Sequence, residues 1–164
     1  MAETKTITIK LDQLLRIKED LENSIRKEET LMRQNNSRPA SEEDQIDFEE
    51  TKRLYELKLE QLIKLKLQIA VINSDGKNNQ SIYELSNFNR RKVFLNSLNT
   101  FEGDRPTLKS AGKDIEFKAK LSYKKVEKEL KSIDVEIRKL ETKLSDFNHA
   151  QEVTVEIYIE LNLA

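Results

Sequence analysis

Apolar residues recur at alternating steps of three and four from Tyr123 to Phe147: Tyr123, Val126, Leu130, Ile133, Ile137, Leu140, Leu144 and Phe147. That seam, held for more than three heptads among Lys, Glu, Arg and Asp, predicts a helix over about 122–148. Ser122 stands where its side chain can cap the first turn. A weaker stripe through Leu14, Ile17, Leu21, Ile25, Leu31 and Met32 predicts a helix over 11–34. The run from Gln34 to Pro39 closes it, because the residue before a proline avoids the helical region. Ser41, Glu42, Glu43 and Asp44 then provide a cap and an acidic first turn for a helix over 41–72. Leu57 to Ile72 is apolar on more than one face, the pattern of a helix packed on two sides. Residues 73–80 form a polar turn in which Gly76 is free to take positive φ. Ser81 with Glu84 reads as a capping box opening a helix over 81–101 through Ile82, Leu85, Phe88, Leu95, Leu98 and Phe101. Residues 102–113, with Gly103, Pro106 and Gly112, read as a mobile loop.

Three segments alternate with period two: Ile7, Ile9 and Leu11; Ile115, Phe117, Ala119 and Leu121; and Val153, Val155, Ile157, Ile159, Leu161 and Leu163. They predict strands over about 4–10, 114–121 and 152–163. The expected fold is a single α+β domain, mostly α, spanning 1–164. It is an elongated antiparallel helical bundle or coiled coil, with a small antiparallel sheet built from both termini and residues 114–121. The last strand is the longest, and such an edge invites pairing with another copy. Val153, Val155, Ile157, Ile159 and Leu161 are therefore the expected oligomerisation residues of a dimer or larger assembly.

Composition sharpens this picture by exclusion. Of the 164 residues 36% are charged and 37% apolar, which favours thin helices with one buried stripe over a thick core. With no Cys there is no disulfide framework, thiol chemistry or Cys-based zinc site. No apolar run approaches the length of a membrane-spanning helix, and MAETKTITIK lacks the apolar stretch of a secretory leader. A cytoplasmic location is expected. Twenty Lys against nine Arg, with twelve Asn, point to an AT-rich bacterial or phage genome. A phage source would bring a virion component into view.

Candidate chemistry is sparse. His149, at the end of the last predicted helix and near Asp146, reads as a surface or capping residue. Gly76, Gly103 and Gly112 are isolated, so there is no phosphate-binding glycine loop. The acidic clusters lack metal-ligand spacing. No catalytic residue, metal or cofactor is expected. Asn87, Asn89, Arg90 and Arg91, beside Phe88 and Lys92, are the expected ligand-binding residues. Such a cluster can hold a small anion or a phosphate backbone. The balanced net charge of −1 and the flanking Glu84 and Glu102 weigh against nucleic acid.

Several segments carry a family likeness: the second helix ending in INSDG, then SIYELSNFNRRKVFLNSL, then IEFKAKLSYKKVEKELKSIDVEIRKLETKLSDFN. Their order resembles that of the small bacterial septicolysin-like family. The likeness is strongest where a short strand leads into a helix ending at Asn148, and at Asn73, Gly76 and Ser81-Ile82-Tyr83-Glu84. It covers about residues 11–155. It implies this helical fold, and the family name implies a membrane-active cytolysin. Three classes follow: a non-enzymatic self-associating structural or protein-interaction module, the leading one; a membrane-active protein; and an oligomeric binder of a small anion or nucleic acid.

Overall fold

A computed structural model describes residues 3–37, 46–106 and 114–163. Its elements are β1 (Thr4–Lys10), α1 (Leu11–Asn35), α2 (Phe48–Asp75), α3 (Asn79–Ser97), β2 (Gly103–Pro106), β3 (Asp114–Phe117), α4 (Tyr123–Ala150) and β4 (Glu152–Tyr158). A 3-10 turn, Ile159–Leu161, follows. The fold is α+β and mostly helical, with an antiparallel sheet from the two terminal strands. The chain read as one domain divides into two compact units, residues 1–77 with 145–164 and residues 78–144.

In the first unit α1 and α2 pack antiparallel. Leu11, Leu14, Leu21 and Ile25 of α1 meet Leu62 and Leu65 of α2 and Val153, Val155 and Ile157 of β4 in one core. Polar contacts fix the helix register. Lys66 Nζ lies 2.8 Å from Glu22 Oε1, Lys58 Nζ donates to Ser24 Oγ at 2.9 Å and to Glu28, and Tyr55 Oη donates to Glu29 at 3.2 Å. Lys58 and Glu28 are largely buried, and removing one partner from such a pair strands the other charge. In the second unit α3 and α4 are antiparallel as well. Leu95 packs with Val126, Ile133 and Ile137. Lys92 Nζ reaches Asp134 at 2.6 Å, and Lys143 Nζ reaches Ser81 Oγ at 2.8 Å.

Several expectations are corrected. Residues 114–117 do not join the terminal strands; they pair with 103–106, inside the segment read as a loop, in a sheet of their own. A local hairpin closes a far shorter loop than pairing with either terminus would. Phe101, expected on α3, lies beyond the helix and meets Phe117 edge-on, with ring centroids 5.8 Å apart. β4 stops at Tyr158 and not at 163, because β1 begins at Thr4, its register partner. α3 starts two residues earlier than read, and Ser81 is a buried acceptor inside it, not its cap. Gly76 keeps φ near −74°, since its N–H still bonds Ile72 O, and the left-handed conformation falls to Lys77. α2 is capped by the Asp47 side chain, which accepts from Glu50 N at 2.9 Å. The cap expected at Ser41 to Asp44, the turn at Pro39 and residues 107–113 of the expected loop lie outside the described residues.

α2 is gripped on two sides, by α1 and by β4, as its broad apolar surface predicts. A third stripe, Ile63, Leu67 and Val71, is 60%, 63% and 59% exposed. Leu65 and Leu67 therefore separate burial from mere apolarity within one turn. Leu65→Ala is expected to lower stability by about 2–5 kcal/mol, and Leu67→Ala by less than about 0.5 kcal/mol. Urea unfolding of each variant measures the difference.

Candidate functional site at the edges of the terminal sheet

The register of β1 against β4 sets what each edge of the sheet offers. Thr4 faces Tyr158, Ile7 faces Val155 and Lys10 faces Glu152. Just beyond the strands, Ile159 N donates to Glu3 O at 3.0 Å and Leu11 N to Gln151 O at 2.9 Å. Odd-numbered residues of both strands thus exchange the ladder bonds, and even-numbered N–H and C=O groups point outward on each side.

On the β4 side three of those outward groups, Thr154 O, Glu156 O and Tyr158 N, are taken by α2. Gln61 is fully buried. Its Nε2 donates to Glu156 O at 3.0 Å, and its Oε1 accepts from Tyr158 N at 3.0 Å. One side-chain amide thereby stands in for the peptide group of a neighbouring strand. Gln68 Nε2 donates to Thr154 O at 3.4 Å one step along. Lys64 Nζ donates to Tyr158 Oη at 2.8 Å and lies 4.4 Å from the ring centroid. Arg53 binds Glu50 and Glu160 together, tying the 3-10 turn to α2. Arg53, Gln61, Lys64 and Gln68 recur at helical spacing, so one face of α2 is a polar lining for a strand edge.

The residues expected at a joint between copies have the following places in the C-terminal strand. Val153, Val155 and Ile157 are buried in the chain's own core, and Leu161 packs against it. Ile159 is half-exposed in the 3-10 turn. α2 thus occupies the β4 edge at Thr154, Glu156 and Tyr158. Sequence reading missed Gln61 and Gln68, although a glutamine amid Leu59, Leu62 and Leu65 was a visible anomaly in a core-facing stretch.

The β1 side is different. Lys10 N donates to Gln13 Oε1 at 3.0 Å, which closes the helix end. The outward N–H and C=O groups of Thr4, Thr6 and Thr8 have no partner among the described residues. All three residues are exposed. The Thr8 hydroxyl meets that of Thr154 at 3.1 Å, and Thr4 Oγ1 donates to Glu156 at 3.4 Å. No Pro and no charge on the open positions guards this edge, which is how exposed edges are usually blunted.

No protein-family model, curated protein or solved structure matches the chain.

The expected ligand residues lie on α3. Asn87, Asn89, Arg90 and Arg91 are all exposed, and neither guanidinium has a partner among the described residues. Helical spacing puts Asn87 and Arg90 on one face with Tyr83 and Phe94, which are 72% and 58% exposed. Arg91 flanks that face and Asn89 turns away from it. Phe88 packs on the α3–α4 core. His149 Nδ1 lies 3.0 Å from Asp12 Oδ2, not beside Asp146. Among the described residues no cluster of His, Asp and Glu is arranged to hold a metal. Nor is any helix among them long and apolar enough to cross a membrane. A cleft of about 420 Å³ between the α1 end and the α2 start is lined by Glu29, Met32, Arg33, Asn36, Phe48 and Tyr55. Burial and the hydrogen bond to Glu29 raise the Tyr55 phenol above its usual value, so it is no ready base.

Gln61→Leu preserves volume and leaves Tyr158 N–H and Glu156 C=O unpaired. It is expected to cost about 1–3 kcal/mol in urea unfolding, and hydrogen exchange at Tyr158 should accelerate with it. The carboxyls of Glu22, Glu160 and Glu152 are held below their usual range by hydrogen bonds from Lys66, Arg53 and Lys10 respectively. Their contribution is present above the unfolded value of 4.5 and is lost as pH falls through the lower folded values. The urea midpoint should therefore fall on acidification below about pH 4.5, with a shallower fall in Glu22→Gln/Glu160→Gln.

Proposed function

We propose that the chain is a non-enzymatic module that joins copies of itself, with its helices as spacers and its terminal sheet as the joint. The observation supporting this reading is the inequality of the two sheet edges. One is covered by amides from α2 that bond Thr154 O, Glu156 O and Tyr158 N, and the other has three consecutive outward peptide groups open among the described residues. Unpaired peptide groups on a strand edge template another strand, and natural proteins close such edges unless they are used. Sedimentation equilibrium of the full chain over a hundredfold concentration range tests the reading. A dimer or larger species is expected; a monomer throughout removes it.

A second reading rests on a separate observation. Residues 78–144 carry fifteen Lys and Arg against ten Asp and Glu, whereas the rest of the chain carries fourteen against twenty. The balanced total hides a positive unit, and its α3 face sets Arg90 and Asn87 between two exposed aromatic rings. Phosphates attract such cations, and bases stack on such rings. On this reading the α3 face holds an oligonucleotide. Anisotropy of a fluorescein-labelled oligo-dT should rise with protein and fall with salt. Arg90→Glu/Arg91→Glu should weaken binding at least tenfold; unchanged binding, or none by the wild type, removes this second reading.

A further inference from the structure

The open edge of β1 is self-complementary, and this identifies its occupant. Its free peptide groups belong to Thr4, Thr6 and Thr8, and the next outward position, Lys10, is already satisfied by Gln13. The free set is therefore symmetric about Thr6. We infer that β1 pairs antiparallel with β1 of a second copy, with the two-fold axis at Thr6. The inference rests on the self-association reading and deepens it.

Antiparallel registers on this edge must set outward residues against outward residues, so shifts come in steps of two. With Thr6 on the axis, Thr6 faces its own counterpart and Thr4 faces Thr8 in both halves. Each of these pairs exchanges N–H···O=C bonds in both directions, so no open group is left over. Moving the axis to Ile7 sets Thr4 against Lys10, whose N–H is already engaged, and wastes a donor. Moving it to Lys5 sets Lys5 against its own copy, and like charges directly opposite are destabilising. The Thr6 register instead places Lys5 opposite Ile7, and it sets only threonines against one another on the exposed face.

The closed edge argues for the same occupant. Pairing through β1 gives a sheet in the order β4-β1-β1-β4, and each outer β4 is capped by its own Gln61 and Gln68. Because the same β1 edge of each copy meets the other, the contact is isologous and closes on itself. Two strands are the lower limit of a sheet, and the four strands of the paired copies lie in the usual range.

Thr6→Pro tests the joint without touching the fold. Its N–H takes no part in the β1–β4 ladder, and its side chain has no hydrogen-bond partner among the described residues. Analytical ultracentrifugation of the full chain should show a dimer for the wild type and at least a tenfold weaker Kd for Thr6→Pro, with the urea midpoint unchanged. Ile7→Pro, which removes a ladder N–H, should lower that midpoint. Thr6→Lys and Thr6→Glu make the register itself visible. Each alone should sediment as a monomer, and a mixture should dimerise, because opposite charges then meet across the axis. Should Thr6→Pro misfold, this charge pair decides the matter. Dimerisation of Thr6→Lys and Thr6→Glu at the wild-type Kd would overturn the β1 joint while leaving self-association standing. A wild type that stays monomeric overturns both and leaves the edge to a strand of another protein.

Discussion

A single amide holds the architecture of the terminal sheet in place. Gln61 is buried without charge, and its donor and acceptor are spaced like those of a peptide group, so it satisfies two backbone groups of β4 at once. A leucine there would strand both, and a glutamate could accept from Tyr158 N but would bring an uncompensated charge into the core. Because the amide fixes α2 against the strand, neighbouring contacts along that helix fall into reach of it: Lys64 on Tyr158, Gln68 on Thr154 and Arg53 on Glu160. The same placement turns Leu62 and Leu65 toward α1 and lets Val155 and Ile157 be buried. Without that anchor, β4 would be one more exposed edge beside an apolar helix.

Most of the fold was legible in periodicity. The seam of α4 packs with Leu95 from Val126 to Ile137, and Phe147 packs on the core of the first unit, while Leu140 and Leu144 are half-buried and Tyr123, which opens the seam, is exposed. The terminal strands follow from alternation, since each buries one set of side chains and solvates the other. Pairing was less legible, because period two says which face is apolar and not which strand lies alongside. That is why 114–117 were assigned to the wrong sheet, and why residues 103–106 were read as loop. Caps were also misplaced: Ser81 looks like a cap by local spacing, but Asn78 ends the preceding turn three residues earlier. Apolar alternation marks burial, and β4 spends it on its own core. The edge that is open among the described residues belongs to the threonine-rich β1, whose outward positions Thr4, Thr6 and Thr8 carry neither Pro nor charge.

The charge balance concealed more than it showed. A net charge of −1 is the sum of two unlike units, an acidic one containing the terminal sheet and a basic one containing α3 and most of α4. Long-range fields follow such partitions and not the total. The basic unit also leaves Tyr83, Val93 and Phe94 on the side of α3 away from its core. The acidic unit keeps its carboxylates engaged in register-setting pairs, as Glu22 with Lys66 and Glu160 with Arg53 show. Lys92 with Asp134 aligns α3 with α4 in the same way, so similar residue types serve helix alignment in both units and, at Arg90 and Arg91, an exposed face in the basic one.

The junctions between strands and helices have a consequence for how this chain can vary. α1 begins at the residue after β1 ends, and a single residue, Gln151, separates α4 from β4. Gln151 is bonded on both sides, its N–H to Phe147 O and its C=O to Leu11 N. An inserted residue at either junction would turn the helix by about 100° and transfer the strand's side chains to the opposite face. Neither element has slack in which to absorb it. Length polymorphism should therefore be excluded from both junctions and confined to the connections between α1 and α2 and between α3 and α4, making each strand–helix pair an indivisible unit of inheritance.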